Sequence, residues 1–557
     1  MVKEKKGKSK LIKRIVAIVV GVPLLVLLAV LLFNLPKILY FGRNMWMSID
    51  TGHKMVDTTL TMDQKLSDLD YMYEIVCLEN PQKELFEQAY GISYDEIHER
   101  YREYVKNSKS DYEYFSYLAC FLAILPGEHN AMSLPDYSRI SGFNLSEISA
   151  TQKMKNYQYS WKENFRDDVE EYRQYSLIGF RYVDGKYYNV TADSIYFNFV
   201  SDYKDGQLLT FDGKDPKDLC FDFLERSSPA YDKGNDCYFR DTLWFNNGIG
   251  TEHTIELLMP DGNIITTTVY ESPAYDMPWA DSPRTYPELM PDAGSSDETD
   301  AVPDDAPQTY RIAKDPERKL VYLESLSCNE GEAARLVEDL TNALAEVDAD
   351  TVIIDIRSNK GGTTGYCSTV LSAVFSHDYH YSGDVIGCKN SHTKRYYNDL
   401  FYRYFCDTTI KFSGDCFTYT ENFDVTGNAP KDYKIYLLTS QESFSSADLM
   451  ARMCKDYDNA VLIGTNTKGE GICGTSFHCY LPESRFEFLY TPTVNTIYPE
   501  DSFNGTDPDI YIPYTAEEYF IRQDLKAQGT DATAYEVRLK WDKTLQYVIG
   551  LVDGETN

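Results

Sequence analysis

The chain reads as an α/β protein with a largely parallel sheet, carried behind a helical region, a small β-rich domain and one N-terminal membrane helix. Three observations predict this. From about residue 308 onwards, buried strand patterns alternate with helical ones; between about 175 and 272, apolar and polar residues alternate between turn signals; and 19 consecutive residues, Ile15 to Phe33, carry no charged side chain. Strand–helix alternation puts helices on both faces of a parallel sheet, whereas short alternating runs make half-buried strands.

The apolar stretch comes first along the chain. As a helix it spans about 28 Å, close to the hydrocarbon thickness of a bilayer, and Pro23 within it is tolerated in such helices. Lys3, Lys5, Lys6, Lys8, Lys10, Lys13 and Arg14 precede it, which predicts a cytoplasmic tail over 1–14 and an extracytoplasmic body. A cleaved signal peptide is the competing reading, but the flank Asn34-Leu35-Pro36-Lys37 offers no small-residue cleavage site. The expected location is therefore the cell membrane, single-pass, with the bulk of the chain outside.

Residues 45 to 174 read as a helical domain, with apolar positions such as Phe115, Leu118, Phe121, Leu122 and Leu125 at three- and four-residue intervals and a sharp stop at Pro126-Gly127. The β-rich domain over 175–272 contains the turn signals Asp184-Gly185 and Asp261-Gly262. Residues 273–306, rich in Pro, Asp, Ser and Ala, read as a linker. Over 308–515 come a strand at Lys319–Leu323, a helix from Glu330 to Val347, a strand buried on both faces at Thr351–Ile356, a strand at Lys434–Thr439, a helix from Ser446 to Asp456 and a strand at Ala460–Gly464. A helical segment closes the chain over 516–557.

The 557 residues carry a net charge of -33, of which the first 14 contribute +6 and the remainder -39. A body this acidic repels phosphate backbones, so nucleic acid is not an expected partner. The 12 cysteines contain no CxxC pair, and no His/Cys cluster has zinc-ligand spacing, so neither a metal nor a cofactor is expected. Cys77, Cys120 and Cys454 read as small core residues; Cys473 and Cys479 are close enough to pair across a hairpin in an oxidising compartment.

Two segments carry chemistry. In Leu437-Leu438-Thr439-Ser440-Gln441-Glu442-Ser443-Phe444-Ser445-Ser446-Ala447-Asp448, a serine cluster separates a buried strand from a helix. A serine there sits where amide groups and the helix dipole favour negative charge, as a nucleophile forming an oxyanion requires; serine is also the preferred helix N-cap, which is the structural alternative. The second, Asp355-Ile356-Arg357-Ser358-Asn359-Lys360-Gly361-Gly362, ends the buried strand in two glycines whose backbone can approach a ligand closely. Strand carboxyl ends are where α/β sheets bind ligands.

Together these segments resemble the tail-specific, or C-terminal processing, serine peptidases and their tricorn-core relatives. The pattern Asp-x-Arg-x-Asn-x-Gly-Gly is matched by Asp355, Arg357, Asn359, Gly361 and Gly362, and Ser443 to Asp448 matches the nucleophile motif loosely, in a register that makes Ser445 the nucleophile. The resemblance implies a crotonase-like catalytic domain, a PDZ-like domain in the β-rich stretch (Asp205 to Lys214 resembles its turn-strand-turn signature), and peptide or unfolded protein as substrate. Processing proteases take a lysine as base from a Gly-Lys-Gly turn; here Glu470 stands at that position and Lys468 lies two residues earlier, an alternative base. The tricorn-like branch takes a histidine from the helical region, which Glu128-His129 resembles. It also takes an acid shortly before a Gly-x-x-Pro-Asp tail, here Gly505 to Asp509; that implies Asp501, then Glu500.

The implied reaction is peptide hydrolysis through an acyl-enzyme, with His129 as base, Ser445 as nucleophile, and the amides of Gly361 or Gly362 and of Ser446 as oxyanion hole. Two other readings stand beside it: a peptide-binding pseudo-peptidase, and a Ser445–Lys468 dyad.

Overall fold

A computed structural model describes residues 27–28, 54–78, 80–125, 127, 129–135, 145–172, 175–190, 203–274, 309–390, 393, 410–474, 476–499 and 501–554. Most of the expected membrane helix over 15–33 therefore lies outside the described residues, as do the basic tail, Glu128, Glu500 and the expected linker beyond Ala274. Among the described residues no helix is long and apolar enough to cross a membrane.

The chain divides into two compact units. In the smaller (1–59, 134–162, 391–407), the Lys54 and Val56 amides donate to the side chains of Asn156 and Ser160 at 3.0 and 2.9 Å. The larger unit (60–133, 163–390, 408–557) holds everything described below.

Helix α1 (Asp111–Leu122) starts at Ser110, whose hydroxyl caps the Glu113 amide at 3.1 Å. Nearly every residue of it is buried, as a helix apolar on all sides must be. A three-residue strand, Ala131–Ser133, follows closely and pairs antiparallel with Glu487–Leu489. Sequence reading gave helix and connection here, because three residues are too few to show a period.

The β-rich stretch is a closed barrel of six antiparallel strands between Leu177 and Glu271, filled by Phe180, Phe211, Leu243, Phe245, Ile255 and Leu257. Barrel residues reach the end of α1. The fully buried Arg240 donates to the carbonyls of Cys220 and Ala123, both at 2.9 Å, and to that of Ser227; Ser228 Oγ donates to the Gly127 carbonyl at 2.7 Å. Those bonds fix the turn leading to His129.

The central sheet runs in sequence order: β1 (Tyr310–Asp315), β2 (Leu320–Ser325), β3 (Thr351–Asp355), β4 (Lys434–Thr439), β5 (Ala460–Gly464) and β6 (Ile510–Tyr511). Only β1 is antiparallel to its neighbour. Val321, Leu323, Val352, Ile354, Ile435, Leu437 and Leu462 face one core with α2 (Glu330–Glu346), α3 (Thr364–Ser372) and α4 (Ser446–Lys455). Leu320, Tyr322, Ile353, Tyr436, Leu438 and Ile463 face the other, against α5 (Lys543–Val552). Both faces are therefore buried, each large aliphatic side chain contributing about 1.5–3 kcal/mol. A second sheet, built on the ten-residue strands Tyr379–Cys388 and Cys416–Val425, carries Thr493–Asn495 beside it. Cys473 and Cys479 are both buried, and Cys479 stands opposite Phe488 rather than Cys473, so the register does not set the two across a hairpin as expected.

Candidate active site

Strand β3 delivers the first half of the site, and its charged residues are structural. Arg357 donates to both carboxylate oxygens of Asp355 (3.0 and 2.7 Å) and of Asp542 (2.9 and 2.6 Å), and Tyr322 donates to Asp355 at 2.7 Å. Burial pushes the Asp355 carboxyl up, but the Arg357 and Arg538 guanidiniums and the Tyr322 hydroxyl outweigh it and hold it well below the ordinary range. This network ties the end of β3 to the residue that caps α5.

Asn359 organises the turn beyond. It donates to Ser325 Oγ at 3.0 Å, its Oδ1 accepts the Gly361 amide at 2.8 Å, and its carbonyl accepts the Phe444 amide at 3.1 Å. Gly361 (φ 90°) and Gly362 (φ 147°) have no room for a side chain: a Cβ would lie 2.6 Å from the Phe444 carbonyl oxygen at the first and 2.3 Å from that of Cys328 at the second. The Gly361 amide is committed to Asn359, so of the expected glycine pair one amide is structural.

The serine cluster sorts itself by hydrogen bonds. Ser440, Ser443 and Ser446 donate to the carbonyls of Arg357, Ile356 and Gly362 at 2.5, 2.9 and 3.0 Å, pinning the loop to the end of β3. Ser445 does none of this. It occupies the N-cap position of α4 with φ 56° and ψ -121°, and its side chain caps nothing, so the N-cap reading fails. A non-glycine residue held at positive φ is strained, and such strain clusters at functional sites.

The Ser445 Oγ lies 3.1 Å from Nε2 of His129, a residue 316 positions away in sequence. The imidazole leans on the Phe444 ring with centroids 4.7 Å apart. On its far side Nδ1 lies 3.3 Å from Oε2 of Glu470, which also accepts the His129 main-chain amide at 3.1 Å, while Oε1 accepts Thr491 Oγ1 at 2.9 Å. The Glu470 side chain is only 4% exposed. Its backbone too is left-handed, φ 60°.

Glu470 is thus the carboxylate at the imidazole, which corrects the expectation of Asp501. Asp501 pairs with Arg452 at 3.3 Å instead, and burial, with the neighbouring Asp448 charge, pushes its carboxyl up to about 6. Glu500 lies outside the described residues. Lys468 does not serve as a base by position either: its buried ammonium is paired with Asp241 of the barrel at 2.8 Å. Asp448 lies three residues after Ser445, at the end of the serine motif. It is fully buried and accepts from the Thr467 and Thr506 hydroxyls and from the Thr506 and Gly471 amides, thereby fixing the loop that presents Glu470. The signal in the sequence for this carboxylate is the glutamate that stands in the lysine position, Glu470.

Among the described residues no group of three or more His, Cys, Asp or Glu is arranged to hold a metal ion. A cavity of about 670 Å³ opens beside the turns at Ser358 and Gln441, lined also by Arg181, Tyr514 and Arg522, with neither Ser445 nor His129 in its lining.

An α/β sheet presenting a strained serine to an imidazole and a buried carboxylate is the arrangement of a serine hydrolase. Residues 319–512 match the sequence profile of peptidase family S41. No curated protein matches the chain significantly. Among solved structures, mature CPAF is similar at 15% identity over 90% of this chain and 99% of that one, with a TM-score of 0.48. The photosystem II D1 C-terminal processing protease is similar at 12% over 82% and 94% (TM-score 0.34), and the tricorn protease at 14% over 90% and 37% (TM-score 0.30).

Proposed function

We propose that the chain is a membrane-anchored, extracytoplasmic serine endopeptidase with a His129–Ser445–Glu470 triad. His129 Nε2 takes the proton as Ser445 Oγ attacks the peptide carbonyl; Glu470 holds the Nδ1–H tautomer and balances the imidazolium charge that develops. The Gly362 and Ser446 amides receive the oxyanion, the second aided by the start of α4. His129 then protonates the leaving amine, and water releases the acyl-enzyme by the same path in reverse. The observation that carries this reading is the 3.1 Å contact between Ser445 and His129, since nothing local brings residues so distant in sequence together.

In this reading the catalytic domain is crotonase-like, and the barrel occupies the PDZ-like place between base and nucleophile. A closed barrel has no free edge for an added peptide strand, which favours a bracing role through Arg240, Ser228 and Asp241 over peptide capture there. Anchoring rests on the uncharged stretch Ile15 to Phe33 and the basic residues before it.

The test is a fluorophosphonate probe on the full chain. Labelling of Ser445, lost in Ser445→Ala and cut at least a hundredfold in His129→Ala, is expected. A folded wild-type protein that neither takes the probe nor cleaves casein would favour the pseudo-peptidase.

A further inference from the structure

The strands Tyr379–Cys388 and Cys416–Val425 are paired over their full length, and the last pair in the register is Cys388 opposite Cys416. Two observations show what kind of pair it is. The next residue, Lys389, donates its amide to the Asp415 carbonyl at 2.8 Å, so that pair is hydrogen-bonded and the one before it is not. On its other side Cys416 pairs with Ser413 across the two-residue turn Gly414-Asp415, which commits its backbone groups away from Cys388. Non-hydrogen-bonded pairs bring antiparallel strands closest, with Cα atoms about 4.5 Å apart, inside the range a disulfide spans.

The side chains share the outer face of this sheet. Their row contains His380 opposite Asp424 and Asp384 opposite Thr420, and in both cases the facing side chains touch, at 2.6 Å. Cys388 and Cys416 continue that row as half-buried free thiols; Cys237 is half-buried too but faces Asp232, whereas Cys328, Cys367, Cys454, Cys473 and Cys479 are fully enclosed. An oxidant can reach the half-buried thiols and not the enclosed ones, and Cys388 and Cys416 are the half-buried two that face each other.

We propose that Cys388 and Cys416 close into a cross-strand disulfide. Its occurrence in the cell rests on the extracytoplasmic reading above; its geometry does not. The oxidant is a disulfide, either oxidised glutathione or a dithiol oxidoreductase. One cysteine thiolate attacks it, releasing a thiolate and leaving a mixed disulfide; the second cysteine displaces the other sulfur, so that the pair loses two protons and two electrons and the oxidant ends as two thiols.

The bond would brace the catalytic acid. Gly387, next to Cys388, pairs with Thr493, and Asn390 donates to the Tyr490 hydroxyl at 3.3 Å. Between them Thr491 holds Glu470. The linkage therefore pins the end of the strand against which the acid's support is built.

The full chain, purified reduced in detergent, is equilibrated in glutathione buffers of rising oxidation, quenched with N-ethylmaleimide and digested without reductant. The expected product is the Cys388 and Cys416 peptides joined, two hydrogens lighter than their sum, absent from Cys388→Ser and from Cys416→Ser. The oxidised protein should also keep its probe-labelling rate to a higher temperature than the reduced protein, a difference that both variants lose. Alkylation of both residues across the whole range, or pairing of either with Cys406, overturns the proposal. Quenching intact cells before lysis separates the two claims: a disulfide that forms in buffer but is found as thiols in cells overturns the extracytoplasmic location and leaves the geometry standing.

Discussion

Replacing Glu470 by glutamine tests the least expected member of the site. The amide keeps the side chain's volume and can turn its oxygen towards His129 while its nitrogen meets Thr491 Oγ1, so the fold is preserved and mainly the charge is lost. At the observed 3.3 Å between Nδ1 and Oε2, a unit charge pair in an effective dielectric of about 20 is worth about 5 kcal/mol. That is an upper limit, because the imidazole is 30% exposed and water takes up part of the field. At about 1.4 kcal/mol per decade, a drop in kcat of about a thousandfold is expected, with KM nearly unchanged because the carboxylate acts on the imidazolium formed in the transition state. The assay is the fluorophosphonate labelling rate alongside peptide hydrolysis, with thermal midpoints to show that the variant is folded. Asp501→Asn, run beside it, should stay within about threefold of wild type, as a charge that does not touch the imidazole has little differential effect. A Glu470→Gln enzyme within threefold of wild type, with Asp501→Asn severely impaired, would refute the assignment.

Three further outcomes follow from named contacts. Phe444→Ala removes the wall behind the imidazole and should slow labelling about ten- to hundredfold through misplacement of the base, with Phe444→Leu recovering most of it; equal rates for all three would show that the ring contact positions nothing. Lys468→Met takes the ammonium partner from Asp241, whose side chain is 21% exposed, and should cost about 1–3 kcal/mol of stability, yet the folded fraction should still label; loss of labelling in folded protein would revive the Ser–Lys dyad. Finally, desolvation pushes Glu421 up to about 7, while burial and the Asp448 charge push Asp501 up to about 6. Raised acids contribute stability that is complete below their unfolded values near 4 and lost as pH rises through the folded ones. The thermal midpoint should therefore climb as pH falls from 7.5 to 5, and Glu421→Gln with Asp501→Asn should flatten that slope; an unchanged slope would mean that neither group titrates there.

The parts of the molecule legible in the sequence were those with local causes. β3 and β4 were readable because burial on both faces demands an unbroken run of Val, Ile and Leu, and α4 because its serine start and apolar spacing both lie within one segment. The nucleophile and the histidine were readable only through a motif, since a lone imidazole carries no local sign of what it will meet. The acid was misread for a related reason. Asp501 and Glu500 precede a recognisable tail, and that proximity in sequence stood in for proximity in space. What decides the matter is the Asp448 carboxylate, gripping Thr467, Thr506 and Gly471 from beneath, and no pattern of spacing announces such a convergence.

Those contacts also explain why a glutamate can sit where related enzymes carry a lysine base. The strand β5 and the loop after it bring position 470 beside the nucleophile: the Ser445 amide donates to the Gly469 carbonyl at 3.0 Å, and the Glu470 amide to the Ser502 carbonyl at 3.1 Å. A lysine on that backbone would approach the serine itself and would need to lose its proton in a buried site. A shorter side chain ending in a carboxylate stops one group earlier, and a second element must then fill the gap. The turn after α1 fills it, closing so tightly on the acid that a Cβ on Gly127 would lie 2.5 Å from the Glu470 carboxyl carbon. The glycine at 127 and the glutamate at 470 are therefore one device, built from opposite ends of the chain. A Gly127→Ala variant should separate imidazole from acid and lose activity on the scale of Glu470→Gln, with no further loss when the two are combined, whereas additive losses would show that they act apart.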